Sequence, residues 1–127
     1  MSKRILIVDD EPNIVISLKF LLERAGFNVD VETNGKQAME LVAADPPDVL
    51  VLDVMLPDMD GFEILRRIRS SVGLKDLPVL MLTAKGQRED RSNAIEFGAN
   101  KFITKPFAND EVVEAILTLA QINGSSQ

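Results

Sequence analysis

The chain has 127 residues, a formal net charge of −6, and neither cysteine nor histidine. This length fits one domain with a full hydrophobic core. The missing residue types exclude disulfides, thiol nucleophiles and histidine-based catalysis or metal binding. Because the acidic balance disfavours nucleic-acid binding and no apolar run approaches the about 20 residues of a membrane span, we expect a cytoplasmic protein that binds neither nucleic acid nor membrane.

Short apolar runs alternate along the chain with segments of helical spacing. The runs are ILIV, VDV, VLVL, VLML and KFIT, at residues 5–8, 29–31, 49–52, 79–82 and 101–104. After each run, apolar residues recur at intervals of three and four, which predicts five helices. Pro12, Asn34-Gly35 and Asn109 are typical of helix starts, and Gly26 and Gly98 of helix ends.

The strand–helix alternation predicts an α/β fold. Continuous apolar strands indicate burial on both faces, and therefore a parallel sheet between two layers of helices. In such open sheets the ligand site lies at the carboxyl ends of the strands. Residues 1–122 are predicted to form the domain and residues 123–127 a flexible tail.

Polar residues end four of the five predicted strands. Asp9 and Asp10 follow the first strand, Asp53 ends the third, Thr83 ends the fourth and Lys105 follows the fifth. Each has an ordinary explanation by itself, such as helix-dipole compensation, a turn or a solvated loop residue. Their coincidence at one edge of the predicted sheet favours a functional site.

The chemistry of these residues points to phosphoryl transfer. Carboxylates without histidine or cysteine form a hard oxygen site, which Mg²⁺ prefers. A divalent cation would also explain why adjacent acids, which repel one another, follow a buried strand. A carboxylate nucleophile flanked by a metal ion, an ammonium and a hydroxyl is suited to accept a phosphoryl group.

From about Lys3 to Ile122 the chain resembles the receiver domains of bacterial two-component response regulators, the CheY-like group. The resemblance rests on VDDEP, LDVMLPDMDG, LTA and FGANKFITKPF at their spacings in this sequence. It implies a flavodoxin-like (βα)5 three-layer sandwich with a five-stranded parallel sheet of order 2-1-3-4-5.

The resemblance also implies roles for the acidic residues. Asp53 would be the phosphoacceptor. Asp9, Asp10, Asp53 and the backbone carbonyl of Met55 would bind Mg²⁺.

Further roles are implied for residues of the last two strand ends. Thr83 and Lys105 would hold the phosphoryl oxygens, Phe102 would be the switch aromatic alongside Thr83, and the Lys105–Pro106 peptide bond would be cis. The face formed by the fourth helix, fifth strand and fifth helix would change on phosphorylation.

The implied partners are a sensor histidine kinase or histidine phosphotransfer protein as donor, and a downstream effector protein or output domain. Such a domain would catalyse only its own phosphorylation and dephosphorylation.

Two departures from the winged-helix class of regulators limit the comparison: Asn100-Lys101 replaces an acidic pair, and the fifth helix lacks basic residues. Met55 and Lys85 occupy positions that modulate water access in the family, so the phosphoryl lifetime stays open, as does whether the receiver stands alone or belongs to a longer regulator.

Three alternatives are open to test. A flavodoxin-like cofactor binder needs a phosphate loop after the first strand, where this chain is acidic. An aspartyl-phosphate hydrolase of the haloacid dehalogenase type needs an acid two residues after the nucleophile, where this chain has Met55. A pseudo-receiver would keep the fold as an interaction module, although the complete acid, threonine and lysine set argues against it.

Overall fold

The computed structural model describes residues 3–83 and 88–124, with side chains described at 3–83 and 91–121. The strands are Arg4–Val8 (β1), Asn28–Glu32 (β2), Val49–Asp53 (β3), Val79–Thr83 (β4) and Lys101–Thr104 (β5). The helices are Pro12–Arg24 (α1), Gly35–Ala44 (α2), Gly61–Ser70 (α3), Arg88–Glu96 (α4) and Asn109–Gly124 (α5).

The five strands form one parallel sheet in the order β2-β1-β3-β4-β5. The predicted fold class and strand order are therefore confirmed. Each strand–helix–strand connection is a crossover, as parallel pairing requires.

Alternate residues of the central strands serve two separate cores. Leu50 and Leu52 pack with apolar residues of α2, α3 and α4, whereas Val49 and Val51 pack with those of α1 and α5. The side-chain alternation of a strand explains this division. Because helices cover both faces of β3, its apolar run is continuous, and the polar group of this strand, Asp53, stands at its carboxyl end.

The helix ends agree with most of the local signals. Asn34 caps α2, with its side chain accepting a hydrogen bond from the Gln37 N–H at 3.0 Å. Gly26 and Gly98 have φ angles of 101° and 96°, the left-handed conformation that glycine adopts without strain. Asn109 is the first residue of α5 rather than the residue before it, because the Ala108 carbonyl already accepts the Glu111 N–H.

Helix α5 continues to Gly124, two residues beyond the predicted domain boundary, and residues 125–127 of the expected tail lie outside the described residues. Within the described part of the chain, no helix is both long and apolar enough to cross a membrane.

Candidate functional site

The sheet brings the predicted polar residues to one edge. Val8 of β1 is paired with Leu52 of β3, so Asp9 and Asp53 follow neighbouring positions at adjacent strand ends. Thr83 ends β4 on the other side of β3. Asp9, Asp53, Thr83 and Lys105 are all buried. The two aspartates and the lysine are charged, and charged side chains are rarely buried unless they are paired.

Three carboxylates form a compact group at this edge. Asp9, Asp10 and Asp53 each offer an oxygen, and these oxygens lie within 4.8 Å of one another. Oxygens on opposite sides of one Mg²⁺ are about 4.2 Å apart, since each bond is about 2.1 Å. Small side-chain movements would therefore suffice to bring all three oxygens onto one ion.

One oxygen of Asp9 is a further sign of a cation site. Asp9 Oδ1 accepts the Glu11 N–H at 2.9 Å. Asp9 Oδ2 is buried and lies 3.0 Å from Lys105 Nζ, but this ion pair does not have hydrogen-bond geometry. A buried carboxylate oxygen that accepts no hydrogen bond retains its lone pairs for a metal ion. The residues present therefore fit Mg²⁺.

Lys105 is the positive centre of the group. Its Nζ also lies 3.4 Å from Asp53 Oδ2 and 2.5 Å from Glu11 Oε1. Its backbone N–H donates to the Thr83 carbonyl at 2.6 Å, and the Lys105–Pro106 bond is cis, as the resemblance predicts. The ammonium therefore bridges the ends of β1 and β3 from the loop after β5.

Glu11 is a contact that the sequence analysis missed. It was visible as the third acid of VDDEP, but nothing local indicates that its side chain reaches a lysine 94 residues away. Glu11 is half exposed, whereas Asp9 is fully buried. It can therefore move away from Lys105 at less cost than Asp9.

The electrostatics of the site disfavour a charged Asp53 when no cation other than lysine is near. Burial and the neighbouring Asp9 carboxylate raise the pKa of Asp53 to about 6, against the opposing effect of Lys105. Burial by itself would lower the pKa of Lys105, but Glu11, Asp9 and Asp53 together raise it above its ordinary value. The lysine is thus held in its charged form.

The remaining predicted residues are Met55, Phe102 and Lys85. The Met55 N–H lies 3.4 Å from Asp53 Oδ1, and the Met55 side chain is exposed. Phe102 is half-buried and packs against the core on the α4 side of the sheet, where Phe97 also packs. Lys85 lies outside the described residues.

Residues 5–117 match the family model of the response regulator receiver domain. The chain belongs to this family. It is 42% identical over 129 residues to the alkaline phosphatase synthesis transcriptional regulatory protein PhoP of Bacillus subtilis, covering 99% of this chain and 53% of that protein. The receiver spans about half the length of the curated relatives it matches.

Two solved structures place the receiver among its structural relatives. A CheY-like receiver domain protein from Methanospirillum hungatei superposes with a TM-score of 0.91 at 26% identity, with all of both chains covered. The receiver domain of the sensor histidine kinase PA1611 from Pseudomonas aeruginosa, which has a magnesium ion coordinated in its active-site cleft, gives 0.86 at 27% identity, covering 95% of this chain and 99% of that one.

Family membership decides between the alternatives at the level of class. Receiver domains are signalling proteins that accept phosphoryl groups, bind Mg²⁺ at their acidic site and interact with histidine kinases and effector domains. The cofactor binder and the dehalogenase-type hydrolase are therefore not supported. A pseudo-receiver within the family is still to be tested.

Proposed function

We propose that this receiver takes a phosphoryl group onto Asp53 from a phosphohistidine of a sensor kinase or phosphotransfer protein. The observation that carries the proposal is the convergence of Asp9, Asp10 and Asp53 within 4.8 Å, with the Lys105 ammonium 3.0 and 3.4 Å from two of them. We also propose that the protein is located in the cytoplasm, together with its phosphohistidine donor.

The proposed reaction is a transfer between two nucleophiles. A carboxylate oxygen of Asp53 forms a bond to phosphorus while the phosphorus–nitrogen bond to the donor imidazole breaks, and the imidazole leaves with the electron pair and takes up a proton. Lys105 stabilises the phosphoryl oxygens by charge, and Thr83 by donating its hydroxyl proton in a hydrogen bond. Water later hydrolyses the acyl phosphate, so the domain acts only on its own phosphoryl group.

Asp9, Asp10, Asp53 and the Met55 carbonyl would hold the metal. Bound Mg²⁺ supplies positive charge against the phosphoryl oxygens as they approach the carboxylates. Asp9 and Asp10 orient that charge, and Asp53 keeps its ionised, nucleophilic form more readily beside a cation, because an opposite charge lowers a carboxyl pKa.

The proposed output is a change of the face formed by α4, β5 and α5. Once phosphorylated, Asp53 presents strong acceptor oxygens. Thr83 would move towards them, and Phe102 would turn into the space that Thr83 leaves. The half-buried position of Phe102 against the α4 side supports this proposal, because a residue packed on one side can change rotamer without opening the core. An effector protein or output domain would read the altered face.

Intact-mass measurement after incubation with acetyl phosphate and Mg²⁺ tests the proposal. Wild type should gain one hydroxylamine-labile phosphoryl group, and Asp53→Asn should gain none, since an amide is a poor nucleophile. Asp30→Asn, at an exposed aspartate of β2, should behave as wild type. A phosphoryl group retained in Asp53→Asn contradicts the acceptor assignment, and no gain in wild type favours the pseudo-receiver.

A further inference from the structure

The loop between β3 and α3 is tied to a helix that is distant in sequence. Asp58 Oδ1 accepts the Gly35 N–H at 2.7 Å, and Asp58 Oδ2 accepts the Lys36 N–H at 3.0 Å. These are the first two residues of α2, and 22 to 23 positions separate them from Asp58. Both oxygens of one carboxylate are thus engaged at one helix end.

Asp58 completes the hydrogen bonding of the α2 N-terminus. The N–H groups of the first helical turn have no partner within the helix. Asp58 accepts the N–H groups of the first two residues, Gly35 and Lys36. Asn34 accepts those of the next two, Gln37 with its side chain and Ala38 with its backbone carbonyl. The bonds to Asp58 lower its pKa although its side chain is exposed, so they favour the charged carboxylate at this place.

The approach of the loop to α2 is close. A Cβ atom on Gly35 would lie 3.0 Å from Met59 Cβ and 3.3 Å from Asp58 Oδ1. Glycine at the start of α2 therefore permits this contact.

The base of the loop is held separately. The Gly61 N–H donates to the Val54 carbonyl at 2.7 Å, and Asp60 Oδ1 accepts the Phe62 N–H at 2.8 Å. Asp58 fastens the part between these bonds, and Met55 lies in that part.

We propose that Asp58 is a positioning residue for the metal site, fixing the β3–α3 loop so that the Met55 carbonyl is directed at the carboxylates. The role of Asp58 in metal binding rests on the function proposed above, whereas its hydrogen bonds from the loop to α2 do not. Without the two bonds to α2, residues 55–59 would keep the hydrogen bonds at their ends and the apolar contacts of Leu56 and Met59 with the core, but no polar tie to a neighbouring helix from Asp58. The carbonyl would then have to be ordered each time an ion binds, which weakens the affinity.

The experiment compares Asp58→Ala with Asn34→Ala. Both variants remove side-chain acceptors from the α2 N-terminus, so both should destabilise that helix, but only the first releases the loop. Amide hydrogen exchange is measured without metal over residues 54–61, and Mg²⁺ affinity is measured by calorimetry. Asp58→Asn, which keeps one carbonyl oxygen, is the conservative variant.

In Asp58→Ala we expect exchange in the loop to be about fivefold faster and Mg²⁺ to bind about tenfold more weakly. Asn34→Ala should change neither, and Asp58→Asn should recover part of both. Equal behaviour of the two alanine variants would overturn the proposal. If wild type binds no Mg²⁺, the proposed function fails, while the exchange rates still decide whether Asp58 holds the loop.

Discussion

Lys105 Nζ lies 3.0 Å from Asp9 Oδ2, and the two side chains are only 7% and 0% exposed. The pair joins the loop after β5 to the end of β1 across the carboxyl edge of the sheet. A buried pair of this kind is weak evidence for a gain in stability, but removing one partner leaves the other charge uncompensated. Lys105 thus has a structural effect beside its proposed role in phosphoryl transfer.

Lys105→Met should lower the free energy of unfolding at neutral pH by about 1–3 kcal/mol, because it leaves the Asp9 and Asp53 carboxylates without their cation. Urea unfolding followed by circular dichroism measures this, as the chain has no tryptophan or tyrosine. Lys101→Met, at an exposed lysine of β5, is the matched control. The second substitution Asp9→Asn should restore part of the loss, and an equal loss in the Lys101 variant would contradict the account.

Asp53→Asn should stabilise the metal-free protein in a pH-dependent way. The pKa of Asp53 is raised from 3.8 to about 6, so ionisation of this group costs stability. That cost is absent below about pH 4, where the carboxyl is protonated in both states, and complete above about pH 6. The variant should therefore exceed wild type by up to about 3 kcal/mol at pH 7.5 and by little at pH 4.

Thermal melts at the two pH values in the presence of a chelator test this expectation. Asp30→Asn serves again as the exposed control and should show no such pH-dependent gain. A gain for Asp53→Asn that is the same at both pH values would be inconsistent with a raised pKa.

Mg²⁺ should stabilise the folded receiver by mass action, by about 1.4 kcal/mol at ten times the dissociation constant. Asp10→Asn should weaken this effect, because it removes one of the three clustered carboxylates while altering an exposed side chain. Melting temperatures are compared across a magnesium titration, with sodium chloride at matched ionic strength as the control. Equal Mg²⁺ affinity in wild type and Asp10→Asn would count against the site.

Gly61→Ala should disturb the acceptor directly. A Cβ atom at this position would lie 2.3 Å from the Asp53 carbonyl oxygen and 2.9 Å from Val54 Cα. Because both neighbours are backbone atoms, the strand end must shift, and we expect a loss of about 1–3 kcal/mol together with slower phosphorylation. Gly73→Ala, where a Cβ atom meets nothing within 4 Å, should be close to neutral in both measurements.

Occupation of Asp53 should change hydrogen exchange on the face formed by α4, β5 and α5. Beryllofluoride with Mg²⁺ serves as the phosphoryl mimic, and amide protection is compared over residues 88–108. Phe102→Ala removes the aromatic ring and should reduce the change while leaving phosphorylation intact. Unchanged protection in wild type at saturation would leave phosphorylation without this conformational readout.

The elements and their order could be predicted from the amino-acid pattern. The apolar runs that became β1, β3 and β4 are continuous because both faces of those strands are buried, and helical spacing follows each of them. These are local periodicities, and parallel pairing with right-handed crossovers leaves few ways to arrange them. The same argument places the ends of neighbouring strands together, so the sequence predicts that Asp9, Asp53, Thr83 and Lys105 form one site.

The contacts between individual side chains could be seen only in the folded structure. Asp9 is buried and its neighbour Asp10 is exposed, since adjacent residues at a strand end point in different directions. Glu11 reaches Lys105, and Asp58 bonds to the start of α2, although neither contact leaves a periodic signal in the sequence. Such contacts join residues that are 22 to 94 positions apart. They depend on backbone direction and side-chain rotamer, and spacing along the chain carries no information on either. Pattern therefore determines the fold and the edge where the site forms, whereas packing determines the partners of each charge within it.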